Sequence, residues 1–185
     1  MNVLQFYSDR MEPVTFRGNT ENVLTLRRGK SMSPRTIADG KVFVTELDTN
    51  INNGDIITRQ NGEEWVIIAR QASADCVQMQ GRRINGKVSI IKFDDVIENY
   101  KKVGIKPVVV EKNIPIYFMD ISASMKQYDA GLLPKTVKKI LIRTDVDVDL
   151  LYRIVLDDRK YQIDNIDTAK YVNLYELQVS EDTRK

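Results

Sequence analysis

The sequence predicts an all-β protein made of small barrel or sandwich lobes, with one or two short helices and a long loop. Val, Ile and Thr together number 49 of the 185 residues, whereas Ala and Leu number 19. Side chains branched at Cβ lose rotamer freedom in a helix but pack well on a pleated sheet. Turn dipeptides also separate many short apolar runs, which is typical of barrels and sandwiches.

The first helix is predicted at the N-terminus, where Leu4, Tyr7 and Met11 recur at helical spacing before Pro13 ends the pattern. The second is predicted over 94–100, because this segment begins with carboxylates and runs into lysines, an order that suits the helix dipole. The predicted strands are 14–17, 23–27, 41–44, 55–59, 63–68, 76–80, 87–91, 108–110, 114–121, 139–144, 152–156, 161–163 and 171–179.

Three turn dipeptides predict hairpins between these strands. Asn61-Gly62 and Asn85-Gly86 favour type I′ turns, because Asn and Gly adopt positive φ angles at little cost. Asp157-Asp158 separates two alternating runs, and its short polar side chains tolerate the left-handed region. Trp65-x-Ile67 and Tyr161-x-Ile163 each follow such a turn, a similarity that either chance or an internal duplication would explain.

A lysine-rich stretch over 100–112 predicts the boundary between an N-terminal lobe, 1–100, and a C-terminal lobe, 101–185. Two polar loops stand out, one over 30–36 and a longer one over 122–134. Loops of this length inside a compact domain are either functional or mobile surface excursions, and the sequence leaves both alternatives open.

Composition argues against most enzyme classes. The chain has no histidine and a single cysteine, Cys76, so it lacks Ser-His or Cys-His pairs and the thiolate cluster of a zinc site. No paired acids are placed for carboxylate catalysis either. We therefore expect a protein that is not an enzyme, with no catalytic, cofactor-binding or metal-binding residues.

Two motifs resemble binding sites but are better explained by structure. The phosphate-loop spacing over 81–87 is followed by Val88 rather than Ser or Thr, which favours a hairpin turn. Asp145, Asp147 and Asp149 alternate in sequence, and we interpret them as the solvent-exposed face of an edge strand.

The charges are nearly balanced, with 28 basic and 26 acidic side chains and a net charge of +2. This balance does not mark a dedicated nucleic-acid binder. The N-terminus lacks the pattern of a secretion signal, and no window approaches the roughly 18 apolar residues of a membrane span. The sequence therefore predicts no membrane partner.

The second half of the chain resembles the head-tail connector or stopper (head-completion) proteins in the neck of tailed bacteriophages. The resemblance rests on the predicted strand 114–117, the loop 122–134, the strand 140–143 and the segment 152–167 with its turn, Tyr-x-Ile phrase and Asp. A similar phrase occurs over 54–67 in the first half. The resemblance covers about half of the chain.

This resemblance implies a structural virion protein, assembled in the host cytoplasm, that forms a ring between the portal or its adaptor and the tail. The ring would join head to tail and help to retain or pass DNA, without sequence-specific contact. The long loop would then be a mobile channel gate or an interface, formed by Ser124, Met125, Lys126, Gln127, Tyr128 and Asp129.

Two alternatives remain open at this stage. Many stoppers are shorter single barrels, so a tail-completion or tail-terminator protein is one alternative. A cellular SH3-like or OB-type nucleic-acid-binding module is the other, and it predicts salt-dependent binding through exposed aromatic residues such as Tyr7, Phe16 or Tyr171.

Overall fold

The structure is a computed structural model that describes residues 3–27, 39–98 and 100–183. It confirms the all-β class and the small barrel lobes. The elements are a 3₁₀ helix Val3–Arg10, β1 Met11–Phe16, β2 Asn19–Arg27, β3 Gly40–Thr45, β4 Ile56–Arg59, β5 Glu64–Ala72, β6 Val77–Arg83, β7 Gly86–Glu98, β8 Lys101–Asp120, helix α1 Ala123–Tyr128, β9 Lys138–Arg143, β10 Arg153–Leu156, β11 Arg159–Tyr171 and β12 Leu174–Glu181.

The chain divides into two compact units. The first contains Met1–Ile84 together with Tyr171–Leu174, and the second contains Asn85–Lys170 together with Tyr175–Lys185. The boundary expected between residues 100 and 101 instead falls inside the second unit, at the turn that joins β7 to β8. The lysine-rich stretch that suggested a linker is the first half of strand β8.

The first unit is built around a closed barrel with the strand order β1-β2-β3-β6-β5-β4. Its core consists of side chains that are at most 3% exposed: Val14, Phe16, Val23, Phe43, Ile51, Ile57, Trp65, Ile67, Val77 and Met79. Gly81 lies against this core, where a Cβ atom would stand 2.6 Å from Cε2 of Phe43. A larger residue at position 81 would therefore clash with a ring that has no room to move.

The second unit contains another closed barrel, with the strand order β10-β11-β12-β9-β8-β7. Its core is formed by Val88, Ile90, Ile114, Ile116, Ile140, Ile142, Val146, Ile154, Leu156, Tyr161, Ile163, Leu177 and Val179. If β7 to β12 are matched in sequence order with β1 to β6, the two barrels have the same strand connectivity. Trp65 and Tyr161 then lie in equivalent strands, which favours internal duplication over chance for the similarity between them.

The predicted turns are confirmed only in part. Asp157 and Asp158 have φ angles of 49° and 63° and join β10 to β11, as predicted. Asn61-Gly62 also joins two paired strands, but only Gly62 has a positive φ, 80°, so the expected type I′ turn is wrong there. A longer connection with glycine in the left-handed position replaces it.

The prediction of a hairpin at Asn85-Gly86 is wrong, because β6 and β7 belong to different barrels. The Asn85 side chain donates from Nδ2 to the carbonyl of Phe118 and accepts from its N–H, both at 2.8 Å. The side-chain amide of Asn85 thus donates one hydrogen bond and accepts one, as a backbone peptide group does in a β-sheet. Asn85 therefore extends the pairing with β8 instead of turning the chain back.

Three further expectations need correction. In the segment expected to be a helix, residues 94–98 are the end of β7 and Tyr100 lies in a turn, and the N-terminal helix is of the 3₁₀ type. The segment with Asp145, Asp147 and Asp149 forms turns and bends rather than an edge strand. Asp149 Oδ1 accepts from the N–H of Leu151 at 2.8 Å, a local bond that competes with strand pairing.

The loop expected over 30–36 lies outside the described residues. Among the residues that are described, no helix combines the length and the apolar composition needed to cross a membrane.

Candidate interaction surfaces

The predicted loop over 122–134 contains helix α1. Ser122 caps its N-terminus, since Oγ accepts from the N–H of Met125 at 3.3 Å, and Asp129 is the C-cap residue. All five other predicted site residues lie in the helix, which has no buried residue. Tyr128 is 88% exposed and is the largest side chain that this segment presents to solvent.

The loop is fastened to the second barrel through Gln178, whose side chain is on β12 and is 5% exposed. Its Oε1 accepts from the N–H of Leu133 at 3.0 Å and from Oγ1 of Thr136 at 3.1 Å. Its Nε2 donates to the carbonyl of Gly131 at 2.8 Å. These three bonds attach the loop to β12.

A network of ion pairs holds the C-terminal end of α1. Lys139 Nζ lies 3.0 Å from Oδ2 of Asp129 and 3.3 Å from Oε1 of Glu176, which also pairs with Lys170 at 2.7 Å. The hydrogen bond from Lys139, followed by the N–H of Gly131, lowers the pKa of Asp129. Burial alone would lower the pKa of Lys139, but its bonds to Asp129 and Glu176 outweigh burial and raise it.

The contact between Asp129 and Lys139 is expected to survive acidification below the ordinary carboxyl range. Because the folded pKa of Asp129 is depressed, the contact contributes stability above the unfolded value of 3.8 and loses it as pH falls through the lower folded value. A carboxyl ¹³C NMR titration should place Asp129 below 3.8 in the native protein. Lys139→Met should raise it again, and an unshifted Asp129 in the native protein would contradict the contact.

A second surface comes from the long hairpin of β7 and β8. β10 pairs with β7 only at Ser89–Ile91, and β9 pairs with β8 only at Tyr117–Asp120. We call the outer part of this hairpin the ribbon; it consists of residues 92–98 of β7 and 101–108 of β8. Among the described residues, the two strands of the ribbon pair only with each other. At about 3.3 Å per residue the ribbon is roughly 20 Å long. The equivalent hairpin of the first barrel has strands of 6 and 9 residues, against 13 and 20 here.

One face of the ribbon is mainly apolar, and the two charged residues on it, Asp95 and Lys102, pair with each other. Cross-strand partners share a face, and the register pairs Phe93 with Pro107, Asp95 with Ile105 and Ile97 with Lys102. The ion pair between Lys102 and Asp95, at 2.6 Å, agrees with this assignment. We call the following side chains the apolar strip: Phe93, Ile97, Ile105, Pro107 and Val109.

The apolar strip is open to solvent. Phe93 is 45% exposed, Ile105 60% and Ile97 67%. Of the fourteen large hydrophobic side chains that are exposed among the described residues, six lie within 92–109. The guanidinium of Arg153 stands 5.7 Å from the centroid of the Phe93 ring and anchors the base of the strip.

The opposite face carries three charged residues together with Val96 and Val108. Lys92, Asp94 and Lys106 lie on it, and Lys92 pairs with Asp94 at 3.4 Å. The ribbon is therefore amphipathic across its two faces. The sequence carried a sign of this, because Val103, Ile105, Pro107 and Val109 are apolar at every second position.

Of the three aromatic residues named for a nucleic-acid-binding face, one is buried and two, Tyr7 and Tyr171, are at least partly exposed. Phe16 lies in the core of the first barrel, whereas Tyr7 is 40% exposed.

No protein-family model matches the chain, and comparison with curated proteins gives no match. The ribbon and the fastened loop are therefore the features from which its function is inferred.

Proposed function

We propose that this chain is a structural subunit of the neck of a tailed bacteriophage. Its copies form a ring between the portal or adaptor and the tail, join head to tail and let DNA pass. The resemblance of the second half to stopper proteins supports this role, and so does the amphipathic ribbon that extends the second barrel. The role is one of assembly in the virion and involves no catalytic step.

The apolar strip of the ribbon is the observation that carries the proposal. A two-stranded hairpin without a covered face is only marginally stable in water. Clustered exposed apolar side chains usually mark an interaction site. Ile97 and Ile105, both more than half exposed, gain most from being covered. We assign the strip as the surface that contacts a neighbouring copy.

The contact uses the face of the ribbon rather than its edge. Strand edges that avoid pairing carry lysines, proline and bulges, and β8 has all three. Lys101, Lys106 and Pro107 lie along it, and the pairing with β7 shifts register within the ribbon between Val96 and Ile97. These features disfavour the addition of another strand at the edge. The apolar face is therefore the surface that contacts the neighbouring copy.

A ring follows if the strip meets a different surface of the next copy. Such a heterologous contact repeats from copy to copy, and it closes when the rotation between copies allows. The charged face of the ribbon stays in water, and its mixed charges suit a channel that DNA passes without tight binding. Helix α1, whose C-cap residue Asp129 pairs with Lys139, supplies a second fixed surface with Tyr128 exposed.

A charge on the apolar strip should separate the copies. Ile105→Glu places a carboxylate where the neighbour packs and should weaken self-association at least about 10-fold, because a charge buried without a partner is strongly unfavourable. Sedimentation equilibrium of the full chain measures this.

The matched control is Lys106→Glu, one residue away on the charged face. It should change self-association by less than about 3-fold. Equal effects of the two variants, or none from Ile105→Glu, would contradict the assignment of the strip. Salt-dependent DNA binding by a monomer would instead favour the nucleic-acid-binding alternative.

A further inference from the structure

The first unit has a cleft of about 290 Å³. It lies where the starts of β1 and β2 meet the turn after β3. The residues that line it are Met11, Glu21, Asn22, Thr45, Glu46, Asp48, Thr49 and Asn50. Three of them are acidic and none is basic, so the cleft favours a cationic occupant.

The shape of the cleft is fixed by its own hydrogen bonds. Glu21 accepts from Oγ1 of Thr49, and its Oε1 accepts from the N–H of Asn50 at 3.0 Å. Oγ1 of Thr45 donates to the carbonyl of Asn22 at 3.1 Å. The turn over 46–50 is thus bound to β2, and its conformation does not depend on an occupant.

The charges of the cleft are only partly used by these bonds. Glu21 is engaged in holding the turn. Glu46 and Asp48 are exposed, and within the described parts of the chain neither forms an ion pair. These two carboxylates remain for a partner, above the apolar side chain of Met11.

The tip of the ribbon, formed by Tyr100, Lys101 and Lys102, is complementary to an acidic cleft that contains an apolar side chain. Tyr100 is fully exposed, with a φ of 63°, in the turn that joins β7 to β8. Lys101 and Lys102 follow it directly. A tyrosine ring packs on apolar groups while its hydroxyl donates a hydrogen bond, and rigid aromatic side chains of this type are common anchors at interfaces.

We infer that the ribbon tip of one copy seats in the acidic cleft of the next copy. The ring of Tyr100 packs on Met11, its hydroxyl donates to one exposed carboxylate, and Lys101 pairs with the other. The tip belongs to the second unit and the cleft to the first, so the contact joins different surfaces of two copies, as a ring requires. This inference rests on the proposed function and names the acceptor of the ribbon.

Disulfide trapping tests the contact between copies. Two full-length chains are made in a Cys76→Ser background, one with Tyr100→Cys and the other with Asp48→Cys, then mixed and oxidised. A bond between the two different chains is expected, because their Cα atoms must come within about 7 Å to form it. The control pairs Tyr100→Cys with Asn61→Cys, an exposed turn position outside the cleft. Equal trapping at positions 48 and 61 would overturn the inference.

Charge reversal tests the same contact without a covalent bond. Lys101→Glu and Asp48→Lys should each weaken self-association by about 10-fold. The chain that carries both changes restores opposite charges at every contact and should return to within about 3-fold of the native value. Absence of rescue, with both single variants weakened, would overturn the pairing.

The outcomes also separate this inference from the proposed function. If Ile105→Glu dissociates the assembly while every change at the tip and cleft is silent, the cleft assignment fails and the ribbon proposal stands. If the native chain stays monomeric at its highest soluble concentration, both fail. Binding of Ca²⁺ to the cleft with no effect on association would assign the cleft to a cation instead and contradict the inference.

Discussion

Replacing Trp65 with alanine is expected to lower the free energy of unfolding of the first barrel by about 3–5 kcal/mol. Trp65 is fully buried on β5. Its ring meets Phe43 edge-on, with centroids 5.7 Å apart and planes at 71°. The substitution removes this aromatic pair and leaves a cavity that the closed barrel cannot collapse to fill.

Denaturant unfolding followed by circular dichroism measures the loss. Trp65→Phe should cost less, because it keeps a ring and removes an indole Nε1 that has no hydrogen-bond partner among the described residues. Tyr128→Ala, which removes an aromatic side chain that is 88% exposed, should change stability by no more than about 0.5 kcal/mol. A cost below about 1 kcal/mol for Trp65→Ala would contradict its place in the core.

Replacing Arg153 with methionine is expected to cost the second barrel about 3–5 kcal/mol, because it breaks a buried ion pair from one side. Nε of Arg153 bonds Oδ2 of Asp182, and the two side chains are 7% and 5% exposed. Nη1 also donates to the carbonyls of Leu151 and Tyr152, each at 3.0 Å. The variant removes the guanidinium of Arg153 from the buried carboxylate of Asp182.

The double variant Arg153→Met with Asp182→Leu provides the control. It removes both charges and should recover most of the lost stability, since apolar replacement of a buried pair is often close to neutral. Thermal and denaturant unfolding of the native, single and double variants form the comparison. A single variant as stable as the native protein would show that the pair is not buried as the structure has it.

The barrels were predictable because their signals are local. Period-two alternation around Ile154 and Ile163 and the polar turn at Asp157-Asp158 need only neighbouring residues to be recognised. The turn dipeptides were less reliable on their own. Asn85-Gly86 has strong hairpin chemistry, yet Asn85 pairs with Phe118, 33 residues away, and this long-range bond overrides the local preference.

The ribbon was missed because its composition resembles that of a linker. Gly104, Pro107 and several lysines reduce strand propensity, and Asp94-Asp95 resembles a helix start. Pairing along the whole hairpin supplies the backbone hydrogen bonds that propensity alone does not predict. The alternating apolar positions of β8 were the better signal.

The position of the long loop followed from sequence, but its structure did not. Ser122 supplies a recognisable helix cap, whereas the attachment of the loop depends on Gln178, far away in the chain. A glutamine on a strand gives no sign of what it binds until the fold brings the loop against it.

Electron microscopy of the particles produced when a shortened chain replaces the native one tests the neck role most directly. The shortened chain joins Lys92 to Val108, which are paired across the strands, through an Asn-Gly turn, and circular dichroism confirms that its barrels fold. We predict DNA-filled heads and finished tails that remain unjoined, while the native chain gives complete particles. Complete particles at normal yield with the shortened chain would contradict the account.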